Sequence, residues 1–343
     1  MSRPFRSARL TATGWEESLC MESGVVPEPG PGQVRVRVEA CGVCHRDLID
    51  REGRFPFLQL PITPGHEAVG FVDAVGAGVD RWQEGDRVGT LHRDHCGTCD
   101  RCRADETCFC EGAAWVFGLL ADGGYASHLL APEAAPFAMD GEIPAVEAAV
   151  LHCAAGSAWR GLVTVGEIGP SDRVLVTGAN GGVGAIGVQV AAQMGAHVTA
   201  LVRNPAQVEF VEGLGADVVV VNDTGDFHKD PAVSPVDLVL EAVGAPTFNA
   251  SLRSLRTGGR MSVVGNVTTE RVPLNLGQLV VRGIRVSGPG GATPDDAAAL
   301  TRAYREGVFR VPVHAEFPLE EADQAMRLVR SGGLRGRVVL SME

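Results

Sequence analysis

Arg173-Val174-Leu175-Val176-Thr177-Gly178-Ala179-Asn180-Gly181-Gly182-Val183-Gly184, written RVLVTGANGGVG, decides how the second half of this 343-residue chain is built. An apolar run ends at Thr177, a glycine-rich turn follows, and AIGVQVAAQMG continues with apolar residues three and four apart. The pattern predicts a buried strand, a tight turn and a helix. Glycines let the backbone come close to a pyrophosphate, and the free N–H groups of a helix start attract its charge. Gly178, Ala179, Asn180, Gly181, Gly182, Val183 and Gly184 are therefore expected to form a dinucleotide-binding loop.

Downstream of the loop the alternation continues. HVTALV reads as a second strand, AQVEFVEGLGA as a helix, DVVVV as a third strand, and DLVLEAVG and RMSVVG as further strands. Repeated βα units with apolar strands predict an α/β fold with a doubly wound parallel sheet. A nucleotide lacking a 2′-phosphate meets an acid at the end of the second strand. Here that end is Val202-Arg203-Asn204, with a guanidinium instead. Arg203 can pair with a phosphate in forked geometry, so NADP(H) is expected over NAD(H). DDAAALTRAYREG reads as an amphipathic helix and RGRVVLSM as a terminal strand.

Upstream of about residue 155 the texture differs. In QVRVRVEA, Val34, Val36 and Val38 alternate with Arg35, Arg37 and Glu39, the period of a half-buried strand. EAVGFVDAVG, DRVGTL and ASHLLAP read as further short strands, which suits a small barrel or a distorted sandwich. The length implies two domains. The net charge of -12 argues against nucleic acid as a partner. No apolar run reaches the ~18 residues of a membrane span, and MSRPFRSARL has no apolar signal core. The expected location is cytoplasmic, where the nine cysteines serve as metal ligands sooner than as disulfides.

CGTCDRCRADETCFC holds five of those cysteines in fifteen residues. Cys96, Cys99, Cys102 and Cys110 can close a tetrahedron around a structural Zn²⁺ with no open position, leaving Cys108 and His95 as bystanders. The other cysteines are Cys20, Cys41, Cys44 and Cys153, and TPGHEAVG offers His66. A catalytic zinc takes three protein ligands and one open position, but spacing alone does not choose three from this pool.

GVCHRDL, PGHEAVG, the four-cysteine loop, HCAAGSAWRGL, GANGGVG and the final GRVV together resemble the zinc-containing medium-chain dehydrogenase/reductase family, the alcohol dehydrogenases, over nearly the whole chain. The resemblance implies a GroES-like β-barrel catalytic domain over 1–154, a Rossmann domain over 155–288 and a return to the first domain over 289–343. It implies a catalytic zinc on Cys44, His66 and Cys153, hence two Zn²⁺ per chain. Asp47 matches the carboxylate that orients the zinc histidine, and Glu67 an acid that can approach the metal. His45 and Arg337 match residues on the cofactor pyrophosphate, and Val264, Gly265 and Asn266 the loop that holds the nicotinamide carboxamide. His152 has no assigned role and reads as a packed histidine. Family members are typically homodimers or homotetramers.

One position departs from the alcohol dehydrogenase pattern. Where the family carries a serine or threonine whose hydroxyl passes on the alcohol proton, this chain has Arg46, and Ile49 stands in place of the relay histidine. CHRDL, APTFNASLRSL and GNVTTERVPLNLG resemble the zinc-type acryloyl-CoA reductase branch. The broad expectation is zinc-dependent, NADP(H)-linked hydride transfer on an alcohol or carbonyl. Conjugate reduction of a 2-enoyl thioester or enone is the alternative, in which Arg46 pairs with a phosphate or polarises a carbonyl, unless it turns to pair with Asp50 or Glu52. A non-catalytic nucleotide-binding redox sensor is the reading from another class. Trp115, Phe117 and Trp159 lie near the cleft motifs and are candidates for the substrate pocket.

Overall fold

A computed structural model describes residues 4–233 and 235–342. Its second half is a six-stranded parallel sheet in the order Val218–Val221, His197–Val202, Arg173–Val176, Val236–Glu241, Leu255–Val263 and Arg285–Ser287. This is the Rossmann order 3-2-1-4-5-6. Val174, Leu175, Val176, Leu238, Val239 and Leu240 are fully buried, because helices cover both faces. That is why these strands read as unbroken apolar runs rather than alternating ones. The helix Gly182–Gln193 leaves the glycine turn and packs back on the sheet. A Cβ on Gly184 would strike the Gly178 carbonyl, so the turn closes only with glycine there.

The first half contributes most of a seven-stranded sheet centred on Gln33–Val43. That strand is antiparallel to Ala68–Val75, His128–Pro132 and Arg337–Ser341. Val34, Val36 and Val38 face the core, as their alternation requires. The chain's last strand, Arg337–Ser341, thus lies against Ala40–Val43, with Val338 opposite Val43. This pairing carries Arg337 next to Cys44 although 293 residues separate them in sequence. A hairpin of Phe5–Leu10 and Leu19–Gly24 adds a further two-stranded sheet.

Between the two sheets runs a helical stretch with wide turns at Leu151–Ala155 and Arg160–Thr164, where Ala155 N–H donates to the Val150 carbonyl and Val165 N–H to that of Arg160. Such five-residue bonds widen a helix and frequently mark functional sites. Arg160 is buried here, donating to the Pro289 carbonyl at 2.9 Å and to Asp296 at 2.6 Å. Gly336 N–H donates to the Asn180 carbonyl at 2.8 Å and Asn180 Nδ2 to the Leu334 carbonyl at 2.7 Å, so the segment before the last strand lies directly on the glycine turn.

Candidate functional site

Cys44 stands where the central strand of the first sheet ends and the helix His45–Arg51 begins. Its N–H donates to Asp47 Oδ2 at 2.8 Å, which ties the start of the helix to the strand end. The buried Asp47 also accepts from the Tyr125 hydroxyl at 3.0 Å and meets His66 Nδ1 at 3.0 Å. A carboxylate there fixes the proton on Nδ1 and leaves Nε2 free as a ligand. Cys153, on the first wide helical turn, lies with Sγ 3.4 Å from that Nε2. Donor atoms of Cys44, His66, Glu67 and Cys153 all lie within 4.8 Å of one another.

Glu67 completes the wall without being free. Arg337 Nε is 3.1 Å from one carboxylate oxygen, and Nη2 bonds the other. A side chain on Gly42 would overlap this carboxylate, so the glycine of CGVC makes room for an ion pair from the far end of the chain. Burial holds Glu67 above the ordinary carboxylate range, against the pull of Arg337. The hydrogen bond with Cys153 holds Cys44 well below the usual thiol value, and the same bond with burial pushes Cys153 well above it. Burial and the Arg46 charge pull His66 down, yet Asp47 and Cys44 outweigh them and hold it at about 9. Two thiols, one of them thiolate-prone, and an oriented imidazole form a borderline-soft donor set that suits Zn²⁺.

A second group, Cys96, Cys99, Cys102 and Cys110, likewise gathers its sulfurs within 4.8 Å. Cys96 and Cys102 Sγ are 4.0 Å apart, and Cys99 and Cys110 Sγ 3.9 Å. Backbone N–H groups of Thr98 and Cys99 donate to Cys96 Sγ, and that of Cys96 to Cys110 Sγ. Thr98 leads the contacts that bring Cys96 down to about 5. Cys108 is buried outside this group, and the half-buried His95 lies outside it as well.

The Cys44–His66–Cys153 group and the glycine turn border one cleft of about 1010 Å³. Cys44, His45, Arg46, His66 and Cys153 line one side. Gly178, Asn180, Gly181, Gly182, Val183 and Gly184 line the other, continuing through Val202, Arg203 and Asn204 and back along Val264, Gly265 and Asn266 to Arg337. The cleft thus lies beyond the carboxyl ends of the parallel strands, where strand order reverses between Arg173–Val176 and Val236–Glu241. Ala179 does not line it but points into the core, and Asp47 and Glu67 stand behind the lining residues.

Two family descriptions match this sequence: "Alcohol dehydrogenase GroES-like domain" over residues 30–141 and "Zinc-binding dehydrogenase" over residues 182–305. The acryloyl-coenzyme A reductase of Sulfurisphaera tokodaii is 30% identical across 96% of this chain and 98% of its own. The chain belongs to the medium-chain dehydrogenase/reductase family. Among solved structures, AibC superposes with a TM-score of 0.91 at 36% identity, covering 98% of this chain and 96% of that one. A cobalt- and zinc-bound alcohol dehydrogenase from Pyrobaculum aerophilum gives 0.90 at 31%, covering 99% and 100%. The protein is therefore an oxidoreductase of the alcohol dehydrogenase type, a GroES-like domain joined to a Rossmann domain.

Within that family frame, the substrate end of the cleft differs from the sequence expectation. Trp115, Phe117 and Trp159 do not line it; all three pack in hydrophobic clusters. Ile49, Phe55, His92 and His152 line it instead. Arg46 lines the cleft and also turns toward Asp50. Its Nε is 3.2 Å from Asp50 Oδ2, close enough to balance charge but off the hydrogen-bond direction, and Nη2 donates to the Phe117 carbonyl. Burial, opposed by Arg46, raises Asp50 to about 6. His152 is a packed histidine: Nε2 lies 2.9 Å from the His66 carbonyl, and its ring meets Phe137 edge-on. His92 carried no sequence signal beyond following a short strand. Glu241 was missed as well. Fully buried at a strand end, it accepts from Thr177, Val243, Gly244, Thr247 and Ser251 and so fixes the floor beneath the glycine turn.

Proposed function

We propose that this oxidoreductase is zinc-dependent and NADP(H)-linked, and that it reduces the double bond of a 2-enoyl thioester. Cys44, His66 and Cys153 hold the catalytic ion, and Cys96, Cys99, Cys102 and Cys110 a structural one. Zinc in the first site would supply Lewis acidity toward a substrate carbonyl oxygen, and a reduced nicotinamide would supply hydride. The glycine turn and Arg337 hold the pyrophosphate, Val264–Asn266 orients the carboxamide, and Arg203 takes the 2′-phosphate.

The observation that carries the choice of reaction is the pair Arg46 and Ile49 in the cavity wall. Reduction at a carbonyl carbon must bring a proton to an oxygen beside the metal ligands. Isoleucine has no proton to give, and a guanidinium does not release its own, so for carbonyl reduction that proton would have to come from water with no side-chain relay. Conjugate reduction moves that demand away. Hydride enters the β-carbon, the π electrons shift toward the α-carbon and carbonyl, and a proton from cavity water saturates the α-carbon. Arg46 then stays protonated throughout and polarises the acyl carbonyl. The acryloyl-coenzyme A reductase relatives support this reading.

Alcohol–carbonyl interconversion is the second reading, supported by alcohol dehydrogenases of similar identity and coverage. Purified protein is assayed for NADPH consumption with short 2-enoyl thioesters and with matched saturated aldehydes and ketones. Enoyl thioesters are expected to exceed the saturated carbonyls at least about tenfold in kcat/KM; turnover of saturated carbonyls alone replaces the first reading by the second. Cys153→Ser is expected to abolish either activity, and an active variant removes the metal assignment.

A further inference from the structure

His92 is a cavity-facing side chain for which neither reaction scheme above has a use. It follows the short strand Arg87–Thr90 and lines the cleft together with His66, His152 and Cys153. A Cβ on Gly291 would fall on the Cε1–Nδ1 edge of its ring, so the imidazole packs closely on that glycine and only a residue without a side chain fits there. Burial first, then the Arg46, His66 and Arg93 charges, bring it down to about 3, so it stays uncharged. Among the described residues its ring nitrogens make no hydrogen bond, whereas His66 Nδ1 meets Asp47 and His152 Nε2 meets the His66 carbonyl, leaving only His152 Nδ1, which is buried, without a partner beside it.

Phe117 links His92 to Arg46 through its backbone. Its N–H donates to the His92 carbonyl at 3.1 Å, and its carbonyl accepts from Arg46 Nη2. One residue therefore sets the spacing of both side chains at the cavity wall. Asp50 beside Arg46 balances the guanidinium charge, so the pair offers hydrogen-bonding groups with little net charge. An imidazole with one donor and one acceptor nitrogen matches a hydroxyl, which also does both. A carboxylate would bring an uncompensated charge into the cavity, which is costly.

We propose that His92 is a specificity-determining residue. With Arg46 it forms a polar subsite for a neutral oxygen, a hydroxyl or carbonyl, on the acyl chain of the substrate. The proposal rests on the cleft being the reaction cavity but not on which bond is reduced. Its test therefore uses unreactive amides. The NADPH fluorescence of the enzyme–NADPH complex is titrated with butyramide, 3-hydroxybutyramide, 4-hydroxybutyramide and succinamate.

The native protein is expected to bind at least one hydroxybutyramide about tenfold tighter than butyramide, the worth of one net hydrogen bond. His92→Phe and His92→Leu should bring that ratio to about one, and His92→Gln, which keeps a donor and an acceptor, should retain most of it. Equal affinities in the native protein, a ratio that survives in the apolar variants, failure of every amide to bind, or a preference for succinamate overturns the proposal. Failure to reduce enoyl thioesters bears on the reaction instead and leaves these ratios readable.

Discussion

Two guanidiniums in one cleft behave differently because their surroundings differ. Arg46 is largely buried and held by Asp50 and the Phe117 carbonyl, so it presents its charge to the cleft in one arrangement. Arg203 is exposed at the end of His197–Val202, on the rim of the nucleotide side, where only a flexible pairing with a charged group can use it. A forked guanidinium–phosphate contact is worth more than a neutral hydrogen bond, about 1.5–3 kcal/mol. Arg203→Ala should therefore weaken NADPH binding roughly ten- to a hundredfold and change NADH binding less than about twofold. Dissociation constants from fluorescence titration of both nucleotides check it; an equal loss for the two removes the 2′-phosphate assignment.

At the scale of elements, the cysteine loop and the cleft centre contrast in what their sequence reveals. The loop's four sulfurs come from fifteen consecutive residues, and only a four-residue helix and a single short turn order the backbone between them. With so little regular structure, its order is expected to rest on a bound ion. Cys102→Ser should cost about one zinc per chain by metal analysis and make the 96–110 segment the first site of limited proteolysis. A loop equally resistant without its ion would show that packing, not metal, orders it. The same closeness made this cluster legible from spacing. The glycine turn was legible because strand, turn and helix are contiguous. Cys44, His66 and Cys153 were not, since they come from a strand end, a loop and a wide helical turn, and only family resemblance singled them out. Gly42 and Arg337 meet across Glu67 through a strand pairing that no local pattern encodes. The hairpin Phe5–Leu10 and Leu19–Gly24 escaped notice because its second strand is mostly exposed and lacks a buried face. The aromatic candidates failed for a simpler reason: nearness in sequence to a cleft motif does not say which way a large ring turns, and burial favours the core.

For the whole molecule, the seam between the two sheets is where uncharged histidines are enclosed, and that sets its response to acid. His152 is held at about 4 and His92 at about 3, in both cases chiefly by burial. In the unfolded chain each would titrate near 6.5. As pH falls below about 6.5 the unfolded chain takes up protons that the folded one refuses, so stability falls until the folded values are reached. Each histidine costs on the order of 2 kcal/mol at pH 5 on this reckoning. Asp50 works the other way. Its folded value of about 6 lies above that of an exposed aspartate, so the folded protein binds the extra proton, which returns on the order of 1 kcal/mol at pH 5. With zinc bound, His66 is a ligand that stays unprotonated in the folded protein, so it adds to the loss in the same direction as His92 and His152. The zinc-loaded protein should therefore lose stability between pH 7 and pH 5, measured as the shift in denaturant midpoint. In His92→Gln, which has nothing to titrate there, the loss should shrink by on the order of 2 kcal/mol, whatever the substitution does to stability at pH 7. If the two proteins lose the same amount, His92 is not held uncharged in the folded cavity.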